Sequence, residues 1–195
     1  MSFAVIGGTE VADEFGFTTW GADLVRVAEP ISAVKPNSSA PRARMIARNG
    51  GVTVTVDEGR VQASVHTGAQ ASVTHLEFAP MDSAAAEAAR RIMGSRTEPD
   101  DATHRALMEK GFAPAPALVQ MDCSCRSRTA MCVHVLATIY ALAARVNLEP
   151  TLALTLQSVD SSSRGRGDDP TRAPVRWIPV SALQVRDYFT RTPSS

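Results

Sequence analysis

The sequence of 195 residues carries no net charge and few aromatic side chains. Its 20 basic residues balance its 20 acidic residues, and Phe, Trp and Tyr make up only 5% of the chain. A formal charge of zero excludes a protein whose whole surface is basic for nucleic acid, although it leaves room for local basic patches. The low aromatic content argues against a surface that stacks bases along a single strand.

Long hydrophobic runs and a leader pattern are also missing. The longest apolar stretch, residues 133–144, is interrupted by His134 and Thr138 and is shorter than the roughly 20 residues that a bilayer requires. The first residues lack a positive segment and become acidic at Glu10, so they do not read as a signal peptide. Three cysteines, an odd count, do not suit a disulfide framework. We therefore expect a cytoplasmic protein with reduced thiols and no membrane partner.

The common enzyme signatures are absent. The sequence has no phosphate-binding loop, no H-E-x-x-H pair, no G-x-S-x-G elbow and no G-x-G-x-x-G fingerprint. It also offers no paired carboxylates or activated nucleophile. We therefore predict that the protein is not an enzyme and has no small-molecule substrate.

The pattern of elements predicts an α+β fold, with a small antiparallel sheet, packed helices and a strand–helix unit. Three cysteines and one histidine of this unit, Cys123, Cys125, Cys132 and His134, have the residue types through which zinc staples a strand to a helix. The length suggests about one domain at about 150 residues per domain, and the 44% hydrophobic fraction is enough for a core. Strands are predicted at 43–47, 52–56, 61–65, 73–78, 117–119 and 152–156, and helices at 15–29, 82–93, 102–110 and from 132 to about 147. Four parts follow: an N-terminal helix and linker (1–41), a β-meander with two helices (42–116), a zinc finger with the long helix (117–157), and a flexible loop with a docked C-terminal segment (158–195).

All three cysteines fall within ten residues, and a histidine follows two positions later: Cys123, Cys125, Cys132 and His134. Three thiolates and an imidazole suit tetrahedral Zn²⁺. Cys123 and Cys125 point to one side of an extended chain, a six-residue loop reverses direction, and Cys132 and His134 open the long helix. Four protein ligands close the shell, so the spacing predicts one structural Zn²⁺ ion whose binding energy supports folding.

Three other interpretations compete with zinc. The cysteines could be free thiols in a core, Cys123 and Cys125 could form a redox pair, or one cysteine could be a nucleophile with His134 as its base. Core cysteines do not cluster with Ser and Arg between them, and a nucleophile would leave two thiols unexplained. Zinc accounts for all four residues together.

The Cys-x-Cys-x6-Cys-x-His spacing resembles the SWIM zinc-finger family. The context agrees with it: Gly59-Arg60-Val61 before a hairpin, then helices, then the D-C-S-C segment at 122–125, then C-x-H-V-x-A-x-x-Y-A-L-A from Cys132. Trp20-Gly21 and residues 149–154 look like the family's flanking pieces. The resemblance spans roughly residues 15 to 157.

The resemblance implies zinc binding together with interaction with DNA or with other proteins. SWIM modules occur in helicase-like chromatin ATPases, in transposases and in recombination complexes, so the implied partner is DNA or a DNA-processing protein complex. Val133 stands between the last two ligands, where the family often has a basic residue. An apolar residue there suits a protein partner better, so a protein adaptor that never contacts nucleic acid is the alternative.

Two groups of arginines are candidate contacts for either partner. Arg126 and Arg128 lie on the loop between the ligands, where a rigid site would present them as a fork to phosphate or carboxylate. Arg42, Arg44 and Arg48 flank the predicted strand 43–47 and would share one of its faces by alternation. The competing interpretation is that both groups are ordinary solvated side chains.

Overall fold

The computed structural model describes residues 15–33, 35–127 and 129–159. These ranges contain groups of helices and four strands that form one antiparallel sheet, in agreement with the predicted α+β class. In chain order they are α1 (Thr19–Ala28), α2 (Ala40–Arg48), β1 (Val52–Asp57), β2 (Arg60–Thr67), β3 (Gln70–Phe78), α3 (Ser83–Met93), α4 (Asp101–Glu109), β4 (Leu118–Cys123), α5 (Val133–Leu148) and α6 (Thr151–Thr155).

The sheet has the strand order β1-β2-β3-β4, and every neighbouring pair is antiparallel. The first hairpin turns at Glu58 and Gly59, whose φ angles of 35° and 82° are those that a tight two-residue turn demands. Alternate residues of β2, such as Val61 and Val65, are buried, whereas Gln62 between them is exposed. The alternation thus places one face of the sheet on the core and leaves the other in solvent.

The centre of the core is α5. It contacts all four strands on one side and both α1 and α2 on the other. Leu136, Ile139, Tyr140 and Leu142 are fully buried, which explains why this helix is apolar around most of its circumference. Trp20 of α1 is also fully buried.

Two predicted strands are wrong. Residues 43–47 lie in α2, which begins with Pro41 in its first turn and buries Ala40, Ala43 and Ile46 at helical spacing. Residues 152–156 form α6 and the turn that follows it, and this segment buries Leu152, Ala153 and Leu154. Both segments are short and rich in apolar residues, so alternation alone could not distinguish strand from helix.

The predicted flexible loop and docked C-terminal segment lie outside the described residues, apart from positions 158 and 159. The predicted division of the chain into four parts therefore stays a prediction. None of the helices in the described ranges combines the length and the hydropathy that a bilayer span needs.

Candidate metal centre

The four predicted ligands converge on one point. Cys123 ends β4, Cys125 follows it by two residues, Cys132 precedes α5, and His134 lies in its first turn. Their ligand atoms all lie within 4.8 Å of one another, and Cys123 Sγ is 3.8 Å from His134 Nδ1. Sulfurs about 2.3 Å from a tetrahedral zinc ion would be separated by roughly 3.8 Å, so the cluster has the dimensions of such a site.

The sheet fixes the first two ligands. Cys123 is in register with Thr74 of β3, and the pairing continues one residue beyond the end of β4. The backbone N–H of Ser124 donates to the Val73 carbonyl at 2.9 Å, and the Val73 N–H donates back to Ser124 Oγ at 2.9 Å. Because side chains alternate along extended chain, Cys123 and Cys125 face the same side with Ser124 between them.

The start of α5 fixes the other two ligands. Cys132 is the N-cap residue of the helix and is 3% exposed, and its carbonyl accepts the first helical hydrogen bond from Leu136 at 3.0 Å. The N-terminus of a helix is the positive end of its dipole. This end therefore faces a group of sulfur ligands that carry negative charge when they bind a metal, which favours the charged form of the centre.

The pKa values show how the charge of the cluster is distributed. Burial raises the pKa of the Cys123 thiol to about 12, and the neighbouring Cys125 and Cys132 side chains add to the effect. Burial also opposes ionisation of Cys125, but the backbone N–H of Ser127 and the two neighbouring thiols outweigh it and lower the pKa of Cys125. Burial lowers the pKa of His134, which favours the neutral imidazole that a metal requires.

One hydrogen bond joins the loop of the centre to the segment before α2. Asn37 donates its side-chain N–H to the carbonyl of Met131, immediately before Cys132, at 3.2 Å. The charge of Arg42 in α2 is the second cause, after burial, of the lowered pKa of His134. Sequence reasoning missed Asn37, because a polar side chain in a proline-rich linker has no local sign of its distant partner.

The predicted basic residues are dispersed. Arg126 is exposed on the loop between the ligands, and Arg128 lies outside the described residues. The predicted arrangement of Arg42, Arg44 and Arg48 on one strand face is wrong, because these residues lie on a helix, where positions two apart point in different directions. Their role as partner contacts stays a prediction.

Arg44 and Arg48 contact other residues of the fold. Arg44 pairs with the Glu29 carboxylate, and its guanidinium lies 5.3 Å from the centre of the Tyr140 ring. The guanidinium of Arg48 lies 5.4 Å from the centre of the Phe15 ring. Neither Arg42 nor Arg126 has an ion-pair partner within the described ranges, and both are exposed, so a ligand can reach them.

Val133, the predicted apolar contact, is half-buried and packs against the hydrophobic core. The buried part of the Val133 side chain therefore helps to hold α5 against the core, and only the rest of its surface is accessible to a partner.

The fold and the site together define a small α+β protein in which Cys123, Cys125, Cys132 and His134 can hold a metal ion. Within the described part of the chain, this is the one group of three or more His, Cys, Asp or Glu side chains placed to share a metal. Three sulfurs and one nitrogen fit Zn²⁺, which prefers such ligands in tetrahedral sites. Comparisons of the chain with protein-family models, curated proteins and solved structures found no match.

Proposed function

We propose that the protein is a non-catalytic adaptor in which one structural Zn²⁺ ion fixes a basic surface for DNA within a DNA-processing complex. The observation that carries this proposal is the exposed Arg126 on the loop between the ligands of the Cys3His cluster, and the charge of Arg42, which lowers the pKa of His134, supports it. Three thiolates outweigh the charge of one Zn²⁺, and cations next to such a centre help to balance it while leaving donors for phosphate.

The closed ligand shell supports a structural role for the metal. A catalytic zinc ion keeps a coordination position for water or substrate, whereas four protein ligands fill the tetrahedron. The cluster joins the end of β4 to the start of α5, so the ion would fasten the sheet to the central helix. The resemblance to SWIM zinc fingers points to the same role.

The test is fluorescence anisotropy of labelled single- and double-stranded DNA with the zinc-loaded protein across a salt series. We expect binding that weakens steeply with the logarithm of salt concentration, since phosphate contacts release counterions. Arg126→Ala should weaken binding and reduce the salt slope by about one. Arg105→Ala is the matched control, because Arg105 is an exposed arginine on α4, an element that contacts α1 and α3.

A protein adaptor without nucleic-acid contact is the second candidate, and the outer face of the sheet favours it. A cavity of about 520 Å³ crosses all four strands there and includes Asp57, Glu77 and Asp122 in its lining. Arg60 pairs with Glu77 at 3.0 Å and so offsets only part of this charge. Such a surface repels phosphate and suits a basic partner protein. Flat anisotropy curves at low salt would make this candidate the leading one.

A further inference from the structure

A second cavity, of about 430 Å³, lies between α2 and the turn that joins β2 to β3. One wall is a helical stripe that includes Arg42, Met45 and Asn49, and the other includes His66 and Thr67. We call this cavity the α2 groove. The two walls come from separate elements, so the groove is formed only in the folded protein.

The polar groups of the α2 groove suit an anion. Arg42 offers a guanidinium, Asn49 an amide, and His66 and Thr67 a ring N–H and a hydroxyl. All of the residues that line the groove are described, and none of them carries a carboxylate. The cavity on the outer sheet face has three carboxylates, so the protein presents two cavities of opposite electrostatic character.

The α2 groove also has an apolar part. Met45 is 55% exposed, and Ile46 lies next to it in the lining. A single nucleic-acid strand offers a charged phosphate and an unpaired base face side by side, whereas a duplex hides its base faces in the stack. The pairing of hydrogen-bond donors, one of them the Arg42 guanidinium, with an exposed apolar side chain therefore matches a single strand. The scarcity of aromatic residues limits stacking to such a local contact.

The groove is coupled to the metal centre through α2. Asn37, three residues before α2, donates a hydrogen bond to the Met131 carbonyl, next to Cys132, at 3.2 Å. The segment that leads into α2 is thus tied to the loop that carries a ligand. Metal binding would orient the groove as well as the loop around Arg126.

We propose that the α2 groove binds one phosphate and the adjoining base of a single-stranded nucleic acid. Arg42 and His66 would hold the phosphate from opposite walls, and Met45 would contact the base. This inference rests on the proposed DNA-associated function and specifies the form of nucleic acid and the surface that binds it.

The test measures the anisotropy of a fluorescein-labelled oligothymidine and of a labelled duplex hairpin with the full-length, zinc-loaded protein. We expect the single strand to bind more tightly than the duplex. Arg42→Ala should weaken single-strand binding about 10-fold and His66→Ala about 3-fold, with the salt slope reduced by about one for Arg42→Ala. Met45→Ala should weaken binding of the single strand more than that of the duplex. Arg105→Ala should match the wild type.

If Arg42→Ala disturbs the metal centre, His66→Ala and Asn49→Ala still test the groove. His66 and Asn49 lie away from the ligands in sequence. Each variant must first match the wild type in zinc content and thermal midpoint. If Arg126→Ala weakens binding and the groove variants do not, the proposed binding site in the α2 groove is wrong and the proposed function still holds. Tighter binding of the duplex would overturn the single-strand assignment. Absence of binding to either oligonucleotide would overturn both proposals.

Discussion

The hydroxyls of Thr74 and Thr138 lie 2.8 Å apart in the buried space between β3 and α5. Thr138 donates its proton to the carbonyl of His134 at 3.0 Å, so Thr74 is the donor in the pair. Thr74 is also in register with Cys123. The two threonines therefore connect the strand beside one ligand to the helix that carries another, directly beneath the metal centre.

Removal of both members of this pair should cost less than the sum of the two single removals. Thr138→Val leaves the Thr74 hydroxyl buried without an acceptor, which costs about 1–3 kcal/mol of unfolding free energy. The double variant Thr74→Val/Thr138→Val removes both polar groups and should lose less than the sum of the single variants. Urea unfolding of the four zinc-loaded proteins provides the double-mutant cycle. Additive losses would show that the two hydroxyls are not coupled.

Loss of a single ligand should abolish stoichiometric zinc binding. Cys125→Ser replaces a thiolate with a hydroxyl, a far weaker zinc ligand, so native mass spectrometry should find zinc in the wild type and little in the variant. The thermal midpoint should fall as well, because metal binding energy contributes to folding. A chelator should lower the midpoint of the wild type and leave that of the variant nearly unchanged.

Ser127→Ala is the control for this loop, since Ser127 is an exposed neighbour whose backbone N–H, the group near Cys125, is retained. It should keep its zinc. Unchanged metal content and midpoint in Cys125→Ser would contradict the zinc assignment.

Gly21→Ala should destabilise the protein, although this exchange normally stabilises a helix by up to about 1 kcal/mol. A methyl group at Gly21 would lie 2.1 Å from Asn147 Oδ1 and 3.2 Å from the Ala143 carbonyl, because α1 and α5 approach closely there. We expect a loss of about 1–3 kcal/mol from overpacking. Chemical denaturation measures the difference.

The partner of the clash provides the control. Asn147 Oδ1 also accepts hydrogen bonds from the N–H and the hydroxyl of Thr18, at 3.1 and 3.0 Å, so Asn147→Ala has a cost of its own. In that background, Gly21→Ala should cost much less than in the wild type. An equal loss of unfolding free energy in both backgrounds would show that the clash with Asn147 does not cause the destabilisation.

The stabilising effect of Glu29 should depend on pH. Burial by itself raises the pKa of Glu29, but hydrogen bonds from Tyr140 and Arg44 outweigh it and lower the pKa below its usual value. A carboxyl group with a lowered pKa in the folded state stabilises the protein at neutral pH. This contribution is lost as the pH falls through the folded-state pKa.

Glu29→Gln should therefore be less stable than the wild type at pH 7, with the difference shrinking below about pH 4. The Glu29 side chain is 34% exposed, so solvent screening limits the effect to at most about 1 kcal/mol. Thermal unfolding of both proteins at pH 7 and pH 3.5 measures it. Both carry the same Cys3His cluster, so acid-induced metal loss cancels in the comparison. A difference that does not change with pH would contradict this account.

The meander was predictable because its information is local. Apolar residues at every second position of β1 and β2, with Glu58-Gly59 between them, specify a hairpin with one buried face. The metal ligands were predictable for a similar reason. All four lie within twelve consecutive residues, and their chemistry restricts what can hold them together.

Local patterns therefore predicted the α+β class, the three-stranded meander, the long central helix and the four candidate ligands. The helical state of residues 43–47 depends on the folded arrangement, because their apolar side chains fit either period until α5 and β2 provide the surface that they cover. The fold also pairs Arg44 with Glu29, whereas Arg42 has no ion-pair partner among the described residues. The periodicity of apolar residues shows which face of an element is buried. The partner of a side chain depends on elements far away in the chain, and the local sequence does not identify those elements.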